Sequence, residues 1–137
     1  MRDRGVFYHQ TTAWDGGDLR PLAARMDREE AIAEFLRRWP LCRRSQAAID
    51  VGLVYTTEAS SLHVDLDHTG RGQGSIVLAI DASKIPGGLE WYQHPDEPDG
   101  GFVAEAIPAD AIIGCMDDPA VVSRVKQIFA SLEEEAA

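Results

Sequence analysis

GVFYHQTT, residues 5–12, is the stretch on which the fold turns. Val6, Phe7 and Tyr8 have high β-propensity, so residues 5–11 are predicted as a first strand. His9 closes the apolar run, and Thr11 and Thr12 follow it. Residues 13–17 read as a turn or loop. A helix is predicted over residues 27–39, with Asp27 able to cap it and Glu30 at the capping-box spacing. Ile32, Phe35, Leu36 and Trp39 form its i, i+3, i+4, i+7 stripe, and Pro40 stops it.

Strands dominate the middle of the chain. Residues 51–57 and 75–81 are predicted as the second and third. The segment SIVLAI, residues 75–80, is nearly all apolar, which predicts a central strand covered on both faces. Pro86, Gly87 and Gly88 break the chain, and PDEPDGG, residues 95–101, is a polar loop or lid. Two more strands are predicted over residues 101–106 and 111–116, with a corner at Pro108. A last helix runs from Pro119 to about Glu134, capped by Asp118, with Val121, Val125, Ile128, Phe129 and Leu132 as its apolar stripe. Strand, helix, several strands and a final helix define an α+β class.

The 137 residues fit a single domain spanning 1–137, long enough for a core without disulfide or metal staples. No stretch approaches the roughly 18 apolar residues of a membrane span, and the N-terminal residues lack the apolar core of a secretory signal. A cytoplasmic protein with no membrane partner is expected. Cys42 and Cys115 form no CxxC pair and read as free thiols of a reducing compartment. The net charge of −10 argues against nucleic acid as the main partner. A small anionic cofactor needs only one local positive site and stays compatible with that charge.

Four patterns carry possible chemistry. GRGQG, residues 70–74, precedes a strand instead of following one, so it reads as a flexible turn and not a phosphate loop. His63, Asp65 and Asp67 alternate with Leu62, Val64 and Leu66, the pattern of a half-exposed edge strand, and no metal site is assigned there. His94 lies beside Trp91 and Tyr92, whose rings either stack on a planar ligand or pin a loop. The fourth pattern is His9, Tyr55 and Glu105, each at or near the end of an apolar strand, so that three strand-borne groups can line one cleft.

These residues resemble the ADP-ribosyltransferases. FYHQTT (residues 7–12) is similar to their first-strand motif. LVYTTEA (residues 53–59) is similar to their tyrosine motif, and FVAEAIPADAII (residues 102–113) to the late strand that carries a catalytic Glu. The small bacterial enzymes that ADP-ribosylate rifamycins resemble the chain most in size and motif order. The resemblance implies a compact fold with a mainly antiparallel central sheet, continuous or split in two, flanked by an early and a C-terminal helix. It implies a toxin-like or resistance-type bacterial transferase that moves ADP-ribose from NAD⁺, as co-substrate, to a small molecule or protein and releases nicotinamide. A binding module without turnover and an NAD⁺ glycohydrolase are the alternatives.

Carried over, the resemblance implies that His9, Gln10, Thr11, Tyr55 and Thr56 line the cofactor pocket. His9 would bond the adenosine-side ribose, with Thr11 in support. Tyr55 would stack on nicotinamide. Glu105 would hold the nicotinamide-side ribose. Val103 stands where many members carry a second acid or Gln, which argues against arginine as acceptor. The rifamycin-type enzymes take their acid from a region that here offers Asp81 and Glu90, so the acid is open among Glu105, Glu90 and Asp81.

Overall fold

Ile76–Asp81 (β3) is the spine of the first sheet, paired antiparallel on one side to Val6–Thr11 (β1) and on the other to Ile112–Cys115 (β6). The computed structural model describes residues 3–11, 14–38, 40–56, 58, 76–93 and 101–136. As its unbroken apolar sequence predicts, β3 is covered on both faces. Leu78 and Ile80 face one core with Phe7, Val54 and Phe102, and Val77 and Ala79 face another with Val6 and Tyr8. Strand alternation places Phe7, His9 and Thr11 on the first face of β1 and Val6, Tyr8 and Gln10 on the second.

The second sheet is also antiparallel. Gly101–Ala104 (β5) runs between Val54–Thr56 (β2) and Glu90–Tyr92 (β4), giving the order β2-β5-β4. Phe102 carries this sheet into the shared core, its ring 5.1 Å from that of Phe7 and 5.1 Å from that of Trp91. The expected mainly antiparallel sheet is therefore present in the second of its two alternatives, split into two three-stranded sheets with a common apolar interior.

Three helices complete the described α+β fold. Arg28–Arg38 (α1) packs through Ala31 and Ile32 against Ala47 and Val51, with Phe35 and Leu36 at the margin. Asp27 caps it by accepting the Glu29 N–H at 3.2 Å. Arg44–Asp50 (α2) was not foreseen in the sequence, and it takes residues expected to lead into β2. Val51 donates its N–H to the Ala47 carbonyl and so ends this helix, which leaves β2 only three residues. Pro119–Ala136 (α3) covers the second face of the first sheet through Val121 and Val125. Asp118 caps α3 by accepting the Ala120 N–H at 2.9 Å. Phe129, placed in the buried stripe by periodicity, is 38% exposed.

The contact between α3 and the sheet depends on Gly114 of β6. Its φ of +143° lies where side-chain-bearing residues are strained, and a Cβ there would stand 2.7 Å from Val121 Cγ2. Bare backbone at this point lets the helix close down on the strand.

The described helices include none long and apolar enough to cross a membrane. Neither cysteine is in a disulfide; Cys42 packs beside the α1–α2 core and Cys115 beside the shared core. Burial and the neighbouring Asp117 and Asp118 push the Cys115 thiol up, away from the reactive thiolate.

Candidate functional site

β1 and β2 belong to different sheets and lie side by side without pairing as strands. His9 crosses the seam between them: its Nδ1 is 2.7 Å from the backbone oxygen of Tyr55. A carbonyl only accepts, so Nδ1 carries the hydrogen. Burial of the ring holds the His9 pKa below 6.5, and the nearby Arg25 charge lowers it further against the opposing effect of the Tyr55 bond. The imidazole is then neutral at pH 7 with its Nε2 lone pair available as an acceptor.

The side chain of Tyr55 takes the opposite face of its own sheet from Val54 and Thr56. The pairing register sets Tyr55 opposite Val103, and Val103 opposite Glu90. Tyr92 shares that face, two residues along from Glu90. The Tyr55 hydroxyl donates to Asp50 Oδ1 at 2.5 Å. Gln46 Nε2 donates to the same oxygen at 2.9 Å and to the Tyr92 hydroxyl at 2.6 Å. The rings of Tyr55 and Tyr92 meet edge to face, with centroids 6.0 Å apart and planes at 75°. Asp50 and Gln46 are both buried, at 4% and 7% exposure.

The other sequence candidates fall as follows. Thr11 shares the His9 face at the end of β1, whereas Gln10 projects to the α3 side. Thr56 is buried, and its hydroxyl donates to the Phe102 carbonyl at 2.8 Å, which ties it into the sheet. Glu105 is exposed in a bend just past β5. The strand ends early because Ile107 leaves it to exchange two backbone bonds with Leu19, at 2.8 and 2.9 Å. Glu90 is exposed on β4. Asp81 accepts from the Ser83 N–H and hydroxyl, at 3.0 and 2.6 Å, and so caps the turn at Ala82–Lys84. It pairs with Val6, at the far end of β1 from Thr11. His94, the His63–Asp67 pattern and GRGQG lie outside the described residues. The described residues hold no group of three or more metal-ligating side chains.

A cleft of about 180 Å³ lies elsewhere, lined by Arg4, Asp81, Ser83, Arg124 and Ser131 among others. It includes neither His9 nor Tyr55, and the chemistry of the seam makes the stronger site. Three members of that site were not picked out in the sequence: Arg25, Gln46 and Asp50. The spacing of Gln46 and Asp50, four apart in RSQAAID, was the available signal, because it puts both on one helical face. No family model, curated protein or solved structure matches the chain.

Proposed function

We propose that the chain binds NAD⁺ along the seam between its sheets and transfers ADP-ribose to a small-molecule or protein acceptor, releasing nicotinamide. The observation that carries this reading is the bond from His9 Nδ1 to the Tyr55 carbonyl. It fixes the tautomer of an imidazole that burial keeps neutral, so that Nε2 can accept a hydrogen bond from a ribose hydroxyl. Arg25, close enough to oppose protonation of His9, supplies the local positive charge that a pyrophosphate needs in an acidic protein. Tyr55, half-buried and held at its hydroxyl, offers an aromatic surface for the nicotinamide ring.

Bound NAD⁺ brings a cationic leaving group, so the chain needs no general acid for departure of nicotinamide. A carboxylate near the ribose C1′ would stabilise the positive charge that develops there. Glu105 and Glu90, both exposed, are the acids left for this role, whereas Asp81 is held by Ser83. Calorimetric titration with NAD⁺, together with chromatographic assay of nicotinamide, tests the reading. Wild type should bind and release nicotinamide, and His9→Ala should do neither. A wild type that does not bind NAD⁺ sinks the proposal.

One observation favours a binding module without turnover. The carboxylate that touches Tyr55 is the buried Asp50, and Glu105 stands in an exposed bend. Binding without nicotinamide release would select that reading, and release without an acceptor would select a glycohydrolase.

A further inference from the structure

We infer that Asp50 and Gln46 are positioning residues of this site, fixing the ring of Tyr55 for a planar ligand and tying Tyr92 to it; the inference rests on the NAD⁺ reading above. Asp50 Oδ1 accepts both the Tyr55 hydroxyl and one N–H of Gln46. The second N–H of Gln46 goes to the Tyr92 hydroxyl. A carboxylate only accepts, so the amide of Gln46 has one orientation that satisfies the set. One helix face therefore holds two tyrosines from two different strands.

The holder is rigid. Ala47 and Val51, beside Gln46 and Asp50 in the chain, are buried against Ala31 and Ile32 of α1. The ring of Tyr55 is constrained from further sides as well. The edge of Tyr92 meets it at 75°, and Gly101 lies beneath it, where an added Cβ would stand 3.7 Å from Tyr55 Cδ1 and 3.2 Å from the Thr56 carbonyl. A ring fixed at its hydroxyl, its neighbour and its floor is pre-organised, and binding a flat ligand on it costs little ordering. Buried polar pairs on a seven-residue helix are an expensive means of filling space, and their return is a defined geometry.

The test compares NAD⁺ with ADP-ribose, which lacks the nicotinamide ring. Asp50→Ala and Tyr55→Phe should each weaken NAD⁺ by about tenfold, the scale of one hydrogen bond to a charged group, while ADP-ribose binding stays within about twofold. The double variant should be no weaker than the worse single one, because both remove the same link. Asp50→Asn keeps an accepting Oδ1 and should restore NAD⁺ binding to within about threefold of wild type. Equal loss of NAD⁺ and ADP-ribose in Asp50→Ala, or no loss of either, overturns the inference. If Asp50→Ala does not fold, Gln46→Leu gives the same comparison. A wild type that binds neither ligand overturns the NAD⁺ reading and this inference together, whereas wild-type binding that His9→Ala abolishes and Asp50→Ala leaves intact overturns the positioning role alone.

Discussion

His9 and Tyr55, 46 positions apart in sequence, join the two sheets through one side-chain-to-backbone hydrogen bond of 2.7 Å. Replacing His9 with Ala removes the donor and leaves the Tyr55 carbonyl at the seam without it. The expected cost is about 1 kcal/mol of stability, typical of a single neutral bond. Urea titration measures it, and an unchanged midpoint would show that the seam is held by apolar packing alone.

The same residue sets a pH dependence. Its folded pKa is depressed below 6.5, so below that pH the unfolded chain takes up a proton that the folded chain resists. The His9 contribution is therefore fully present above about pH 6.5 and is lost as pH falls toward the folded value. Subtracting the stability profile of His9→Gln, which does not titrate there, isolates this term. The difference curve should fall with acidification from pH 6.5 downward, and a flat difference curve contradicts the assigned burial.

Arg25 is one of the causes of that depression. Arg25→Gln should raise the His9 pKa, as read by NMR titration of the imidazole. It should also weaken NAD⁺ and flatten the salt dependence of binding, because an exposed charge acts on the ligand through screened solvent. A raised pKa with unchanged NAD⁺ affinity would separate Arg25 from the cofactor.

Gly114→Ala should destabilise the fold by about 1–3 kcal/mol, through a disfavoured φ and a clash with Val121. Thermal melts measure the loss. Val121→Ala in the same chain should recover part of it, since the 2.7 Å approach is to that side chain.

Leu78 has no exposed surface and sits in the core that both sheets share. Leu78→Ala should cost about 2–5 kcal/mol by transfer and cavity terms together. A loss under 1 kcal/mol would mean that the sheets collapse onto the space.

Local apolar patterns and caps were readable in advance. The sequence around Val77–Ile80 announced a doubly covered strand, and Asp27, Asp118 and Pro119 announced two helix starts, because each signal is local and strong. The segment RSQAAID was too short and too polar in pattern to announce α2, and β4 hid in EWY, three residues without alternation to read. The early end of β5 depends on Leu19, some ninety residues away, which no local pattern reports. His9 and Tyr55 were legible as strand-borne candidates, and the bond between them adds a geometry that sequence spacing cannot supply. Asp50 escaped notice for the opposite reason: a lone acid before an apolar run looks like solvent-facing surface until the fold buries it.

The β1–β3 pairing has a kinetic consequence. Thr11 meets Ile76 across roughly 65 intervening positions, whereas β4 and β5 close as a short hairpin. Chain closure over the longer span costs more entropy, so the hairpin is expected to start earlier and β1 to dock later. On that order, His9 is expected to reach Tyr55 only with the late strand. Recovery of ligand affinity during refolding should then trail recovery of hairpin structure, and the site serves as a clock for the final step of assembly.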